Sequence, residues 1–265
     1  MQSESESGPD WRDSAAYVPL LDAERSLFAW EWLRRDPAYR SAAERAVSGE
    51  SRITRATVCA ADFGLVAFEP PGAAVPQARP MWTAEVLPGV LRAEAARPAA
   101  GPADTVDLQS LKGFGRLIAG CAVDHLLLSD GLRTIRIDGP KDTFTGGPAS
   151  LRYAIEGLAA AEAPLLTLRR FLALCRTGGF ARSLHPREAR ARRWILLLRA
   201  RDALAAGADQ RQIAALLFSR SAGDPCWRTR EPSVRSQVQR LVRSARLLAA
   251  SGGYRTLLSG RTSSP

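Results

Sequence analysis

The sequence predicts an α+β fold that is mainly helical, and three observations support this. Apolar residues recur at helical spacing in the N-terminal and C-terminal parts of the chain. Between these parts, two β-rich runs flank Asp130-Gly131, a pair typical of a hairpin turn because such a turn needs positive φ. Positive charge is concentrated towards the C-terminus. We therefore expect a small N-terminal helical unit, a central region of short strands with a hairpin, and a C-terminal helical domain.

The predicted domain boundaries follow changes in composition. Residues 1–68 form the N-terminal helical domain, and 69–80 are rich in proline and alanine with little to bury, as a linker would be. Residues 81–265 form the C-terminal domain, which contains the hairpin and a helix-turn-helix over 209–250.

In the N-terminal domain, Asp22 is predicted to cap a helix that runs to Arg35. Asp36 then caps a second helix over 37–48, with proline at its first position. The first helix carries more apolar bulk than one buried face needs. Its aromatic side chains are therefore predicted to contact a partner (a polymerase or a second subunit) or the rest of the chain; they are Phe28, Trp30 and Trp32.

The middle of the chain is predicted to contain strands, and helices are predicted to follow them. Short strands are expected over 82–91 and 105–108, around an insertion at 96–102, and the hairpin pairs 123–128 with 132–137. Helical periodicity then predicts helices over 151–160, 164–176 and 187–206.

Charge is distributed unevenly around the net value of +10. Residues 1–168 hold 17 basic and 22 acidic side chains, whereas 169–265 hold 20 arginines and 5 acidic side chains. A basic module of this kind indicates a polyanionic partner. We find no lipidation signal and no apolar run of membrane-spanning length, so a membrane partner is not expected.

Residues that would carry catalysis or bind metal are scattered. The four cysteines are isolated, there are two histidines, and no phosphate-binding loop or nucleophile motif occurs. We therefore predict a protein that is not an enzyme, with no metal site and no cofactor. The acidic, serine-rich start and the isolated cysteines favour a cytoplasmic location.

The helix-turn-helix prediction rests on two amphipathic segments. Asp209 is placed to cap a first helix, and the run 223–225 (Gly-Asp-Pro) must break it. A second helix is predicted from near Ser233 to the glycine pair 252–253. Its apolar side is formed by Val234, Val238, Leu241, Ala245 and Leu248.

Arginine, glutamine and serine share the opposite side of the second helix. Such a helix is more often only solvated, but three features favour DNA. No acidic residue follows Glu231, glutamine and serine interleave with the arginines, and the first helix begins with Gln-Arg-Gln. The predicted DNA-binding residues are Gln210, Arg211, Arg230, Ser233, Arg235, Ser236, Gln239, Arg240, Arg243 and Arg246.

Within this set we assign two roles. Arg235, Gln239 and Arg243 are predicted to face base edges. A second group is predicted to bind phosphates; it consists of Arg211, Arg230, Arg240 and Arg246.

Four segments of the chain, 10–40, 168–180, 209–218 and 236–258, resemble a group of proteobacterial regulators. These join an N-terminal transcriptional regulator-like domain to a C-terminal variant helix-turn-helix domain. The group includes RovC-type activators of type VI secretion genes and FseA-type activators of excision genes on integrative and conjugative elements. The resemblance implies a transcriptional activator that binds promoter DNA, with RNA polymerase, an antiactivator protein and further copies of the chain as other candidate partners.

The same resemblance leaves an alternative open. Some single-domain relatives act as antiactivators that bind an activator instead of DNA. In that case the chain would be a protein-binding module that sequesters a related regulator, through a surface formed by Val242, Leu247 and the arginines. A third hypothesis is a nucleoid-type DNA binder without sequence preference.

Overall fold

The computed structural model describes residues 9–48, 59–96, 105–111, 113–145, 147–148, 150–218, 226–250 and 252–258. Helices lie at both ends of the chain and a five-stranded sheet lies in the middle, which confirms the α+β, mainly helical class. The helices are α1 (Arg25–Leu33), α2 (Pro37–Ser48), α3 (Glu162–Thr177), α4 (Ala191–Ala205), α5 (Gln210–Leu217), α6 (Trp227–Arg230), α7 (Pro232–Ala249) and α8 (Arg255–Leu258). The strands are β1 (Leu91–Ala96), β2 (Gly115–Ala119), β3 (Val123–Ser129), β4 (Thr134–Pro140) and β5 (Ser150–Ala154).

The sheet has the order β2-β3-β4-β1-β5. Strands β3 and β4 form the predicted hairpin, and β1 joins β4 in parallel and β5 in antiparallel register. The conformation of the hairpin turn depends on Asp130 and Gly131. Gly131 has φ +98°, and Asp130 Oδ1 accepts the amides of Leu132 (2.9 Å) and Arg133 (2.8 Å). One face of the sheet packs on α3, where Phe171 and Leu174 are buried against it.

Four predicted positions of helices and strands are wrong. The stretch 82–91 is irregular apart from a single bridge at Trp82 and its last residue, Leu91, where β1 begins, and 105–108 contains one bridged residue before a 3-10 helix, Leu108–Leu111. The start of 151–160 is strand β5, because Leu151 and Tyr153 alternate with Arg152 and pack on the sheet core. Asp22 ends a 3-10 helix (Ala15–Asp22), and α1 begins at Arg25.

Residues 69–80, predicted as a linker, have no helix or strand but are held against the N-terminal helices. The Tyr39 hydroxyl donates to the Glu69 carbonyl at 2.7 Å, and Trp30 Nε1 donates to the Ala73 carbonyl at 2.8 Å. The segment thus packs into the same core as α1 and α2. The boundaries that we placed at 68 and 81 stay predictions.

The N-terminal helices share one apolar core with α4 and α8. Phe28 meets the Trp194 ring of α4 edge-on, at a centroid distance of 5.0 Å. Leu257 and Leu258 of α8 are buried in the same cluster. Helix α2 occupies the predicted range 37–48, with Asp36 Oδ1 accepting the Ala38 amide. The N-terminal helices and the C-terminal helices are therefore joined by a shared core.

A buried ion pair joins α1's end to α4. The Arg35 guanidinium donates to Asp202 through Nε (2.8 Å) and Nη2 (3.0 Å), and both side chains are almost fully buried. The Tyr17 hydroxyl donates to Asp202 Oδ2 at 2.7 Å. Glu31 also pairs with Arg35, and its Oε1 accepts the Val75 amide at 2.9 Å. Every polar group of this network therefore has a partner inside the protein.

The network holds Glu31 and Arg35 in their charged forms in spite of burial. Burial alone would raise the pKa of Glu31, but Arg35, Arg34 and the Val75 amide together lower it. For Arg35, burial would lower the pKa, yet Glu31 and Asp202 raise it above its ordinary value. Burial and the neighbouring Asp202 carboxylate raise the pKa of Tyr17, so this hydroxyl keeps its proton and acts as a donor.

A second polar contact ties the N-terminal helices to the sheet and to α3. Glu24 Oε2 accepts both the amide and the hydroxyl of Thr134 on β4, each at 2.9 Å. Glu24 Oε1 lies 2.6 Å from His185 Nδ1 and 3.4 Å from Arg170 of α3. One carboxylate thus links three parts of the fold.

A third core lies between α4, α5 and α7, and the N-terminal segment contributes to it. Trp11 is buried there against Ala203, Ile213 and Val238. Its Nε1 has no hydrogen-bond partner among the residues that the structure describes, so its contribution is apolar packing. The nearby Arg199 Nε donates to the Trp11 carbonyl at 2.9 Å and fixes the backbone of this segment.

We predict that Arg35→Ala lowers the free energy of unfolding by about 3–5 kcal/mol, because it leaves Asp202 and Glu31 as buried charges without their main partner. Urea unfolding measures this loss. The matched control is Arg152→Ala, which removes an exposed ion pair with Glu94 and should cost less than about 1 kcal/mol. Equal unfolding midpoints for the two variants would contradict the role given to the buried pair.

Trp11→Ala should also lower the free energy of unfolding by about 3–5 kcal/mol, because it leaves a cavity between α4, α5 and α7. Trp11→Phe is the matched control: it keeps most of the apolar volume and removes an indole N–H that has no partner. We expect Trp11→Phe to be clearly more stable than Trp11→Ala in the same unfolding experiment. A loss of equal size in both variants would show that apolar packing is not what Trp11 supplies.

Candidate nucleic-acid interface

Helix α5 begins where the sequence predicts. Asp209 Oδ1 accepts the Gln212 amide at 2.8 Å, and Gln212 Oε1 accepts the Asp209 amide at 2.9 Å. This reciprocal pair is a capping box, which satisfies two amides that a helix start leaves open. The predicted break at 223–225 lies outside the described residues.

Helix α7 covers 232–249, beginning one residue before the predicted start. The predicted left-handed glycine stop is wrong, because Ala250 ends the helix in an extended conformation, and Gly252, with φ +76°, lies in the turn before α8. Val238 and Ala245 are fully buried, and the other three residues of the predicted apolar side are partly buried. The orientation of α7 about its own axis is therefore the predicted one.

Helices α5 and α7 pack through a small apolar interface. Ile213 and Ala214 of α5 are fully buried against Val238 and Val242 of α7. Helix α4 supports the pair from behind through Ala203. The described residues therefore contain the helix pair of the predicted motif, held on a third helix.

The outward face of α7 carries polar and basic side chains at six positions, and the exposed Leu247 lies among them. Exposed side chains along this face are Arg235, Ser236, Gln239, Arg240, Arg243 and Arg246. In the described part of the chain, no carboxylate pairs with any of these four arginines. Many arginines elsewhere do pair, as Arg25 does with Glu188 (2.8 Å) and Arg133 with Asp130 (2.7 Å).

A cleft of about 790 Å³ runs along the side of α7 that faces α5. Six predicted DNA-binding residues line it: Gln210, Ser236, Gln239, Arg240, Arg243 and Arg246. Val242 and Leu247 complete the lining. Donors and acceptors thus converge with guanidinium groups on a concave surface that is open to solvent.

The other four predicted residues lie outside this lining. Arg211 in the first turn of α5 and Arg235 on α7 are exposed, and so is Arg230 at the end of α6. Ser233 is exposed in the first turn of α7, where its hydroxyl accepts Gln237 Nε2 at 3.3 Å.

The aromatic residues of α1 do not form a surface. Phe28, Trp30 and Trp32 are buried in the core, at 0–3% exposure. Of the predicted alternatives for this helix, the structure shows contact with the rest of the chain. The prediction that these side chains bind a partner is therefore wrong.

The surface predicted to bind a protein partner, through Val242 and Leu247, is only partly exposed. Val242 is buried beneath α5, so it offers no contact. Leu247 keeps 67% of its surface exposed beside Arg243 and Arg246.

Two residues near this interface were missed by the sequence prediction. Trp11 completes the core of the helix pair although it lies more than 200 positions before Ile213, which no local pattern indicates. Arg193 is exposed on α4 and lines a second groove beside α7. The run Arg190-Ala-Arg-Arg-Trp194 was a signal for it, since it places consecutive arginines at the start of an amphipathic helix.

Two further classes of site were sought among the described residues. No group of three or more histidine, cysteine, aspartate or glutamate side chains there could hold a metal ion. None of the described helices combines the length and the apolar character that crossing a membrane requires.

Comparison with known families agrees with this geometry. Residues 10–66 match the proteobacterial transcriptional regulator-like domain. Residues 156–259 match the RovC DNA-binding domain, described for a type VI secretion system (T6SS) transcription factor. The second match covers α3 to α8 and includes every predicted DNA-binding residue, whereas the sheet lies between the two matches.

No match was found among curated proteins or solved structures. The two family matches reproduce the pair of domains that the sequence resemblance implied. The chain is thus a transcriptional regulator of the proteobacterial two-domain kind, with a regulator-like domain at its N-terminal end and a RovC-type DNA-binding domain at its C-terminal end.

Proposed function

We propose that this regulator is a sequence-specific transcriptional activator that reads promoter DNA with α7. The observation that carries the proposal is the outward face of this helix, where four arginines without acidic partners alternate with glutamine and serine. Arginine and glutamine side chains can each make two hydrogen bonds to a base edge in the major groove. A helix of 18 residues is also long enough, at about 27 Å, to lie along that groove.

Residues of α7 and of its neighbours α5 and α6 would play two roles. Arg235, Gln239 and Arg243 contact base edges. The remaining arginines bind phosphates and set the register of the complex; these are Arg211, Arg230, Arg240 and Arg246. Gln210 and Ser236 in the cleft, with Ser233 at its approach, supply neutral hydrogen bonds to the backbone or the bases.

Activation further requires contact with the transcription machinery. We propose RNA polymerase as that partner, a second copy of the chain on a two-part operator, and an antiactivator as a regulator of the activity. Secretion genes and genes for excision of a mobile element are the candidate targets, on the basis of the RovC-type domain and the two-domain layout. The cytoplasm, with the protein on the nucleoid, is the location that fits DNA binding.

A second candidate function is a protein-binding module that sequesters a related regulator. The observation that favours it is Leu247, a large apolar side chain exposed among the arginines. Isolated exposed leucines are common, however, and Val242 is not available to extend the apolar surface. DNA binding is therefore the function that the face supports best.

Arg235→Ala and Arg243→Ala should each weaken binding to the natural promoter by about 1–3 kcal/mol, the value of a two-bond base contact. Binding to a scrambled duplex should change much less, so the preference for the natural site falls. A fluorescence anisotropy titration with both duplexes measures this ratio.

Arg246→Ala is the matched control on the same helix. It removes an arginine assigned to a phosphate and should weaken binding to both duplexes alike. If Arg235→Ala and Arg243→Ala keep full preference for the natural promoter, α7 is not the reading helix.

A further inference from the structure

A second groove runs along α7 on the side that faces α4, with Phe218 at the end of α5 in its lining. It lies between α4 and α7, has a volume of about 430 Å³, and is called the α4–α7 groove below. Its lining consists of Arg193, Leu196, Phe218, Gln237, Arg240 and Leu241. Arg193 lies within the matched domain but is not one of the predicted DNA-binding residues.

Helix α7 is therefore a ridge between two grooves. Arg240 lines both of them, so it lies at the boundary between the two grooves. Gln239 and Arg246 face the cleft on the α5 side, whereas Gln237 faces the α4–α7 groove. At about 100° per residue, Gln237 and Gln239 lie roughly 160° apart around the helix.

Both grooves are basic. Within the described residues, neither Arg193 nor Arg240 has an acidic partner. The walls of the α4–α7 groove are apolar at Leu196 and Leu241, and Gln237 adds an amide at the rim. Guanidinium groups bind phosphates, and apolar walls can contact the less polar sugars between the phosphates. The lining of this groove therefore suits a sugar-phosphate backbone.

The width of the major groove of DNA relates the ridge shape of α7 to the basic character of the two grooves beside it. The major groove of B-DNA is about 12 Å wide, and a helix with its side chains is about 10–12 Å across. A helix in that groove therefore meets one backbone on each side. A ridge flanked by two basic grooves has the matching shape.

We propose that the α4–α7 groove binds the backbone of the second DNA strand, with Arg193 and Arg240 on its phosphates. The first strand lies in the cleft on the α5 side, near Gln210 and Arg246. This inference rests on the proposed function, because it takes α7 to lie in the major groove. It adds α4 to the DNA-binding surface.

Arg193→Ala tests the proposal by salt dependence. The plot of log affinity against log salt should become less steep by about 0.9, the value for one lost phosphate contact. The loss of affinity should then be about threefold larger at 50 mM than at 200 mM salt, and equal for natural and scrambled duplexes. Arg176→Ala is the matched control, since it removes one exposed arginine from α3, which packs on the sheet.

A strand-specific experiment locates the contact. Single neutral methylphosphonate linkages are placed in turn along each strand of the natural duplex, and the affinity of the full chain is measured. In the wild type, sensitive positions should occur on both strands. In Arg193→Ala, sensitivity should disappear at one or two positions on one strand only.

The outcomes separate this inference from the proposed function. If binding depends on Arg243 but Arg193→Ala behaves like Arg176→Ala, the α4–α7 groove does not bind DNA. The proposal that α7 reads the bases is then retained. Sensitive positions on a single strand in the wild type would overturn the inference in the same way. If the wild type binds neither duplex, both the proposed function and the inference fail.

Discussion

The bidentate pair between Arg35 and Asp202 is the interaction on which the arrangement of this protein depends. It joins the end of α1 to α4 at a site almost closed to solvent, where Tyr17 and Glu31 make further hydrogen bonds to the pair. Helix α4 in turn supports α7, because Ala203, next to Asp202, lies in the core shared with Val238 and Trp11. The N-terminal helices and the helices of the RovC-type domain therefore share packed contacts through α4, and Trp11 near the start of the chain packs in the core beneath α7.

Electrostatics divides the arginines of this chain into two groups. Arg34, Arg35 and Arg170 belong to the interior, where carboxylates hold them and their charge is balanced. The arginines of the outward face have no such balance in the described structure, so their field extends into solvent. Since long-range attraction and phosphate contact both require unbalanced charge, the second group is the one that fits a polyanion. The net charge of +10 alone would not have separated them.

Local patterns predicted the helix pair well. The Asp209 cap, the range of α2, the apolar side of α7 and the β3–β4 hairpin each depend on residues close together in sequence. The errors arise where distant contacts decide. Leu151 and Tyr153 fit a helix or a strand equally well, and pairing with β1 selects the strand. The aromatic residues of α1 look like a partner surface until α4 and α8 are seen to cover them. Arg193 and Arg240 meet at one groove only because α4 and α7 pack side by side.

The most direct measurement of the central claim is a titration of the full chain with two duplexes of equal length and composition. One comes from the genomic neighbourhood of its own gene and the other is its scrambled form, each at about 50 mM and 200 mM salt. The account predicts tighter binding to the natural duplex, with both affinities falling steeply as salt rises. Equal affinity for the two duplexes would contradict sequence-specific reading by α7. Affinity that does not change with salt would contradict phosphate contact by the arginines of its outward face.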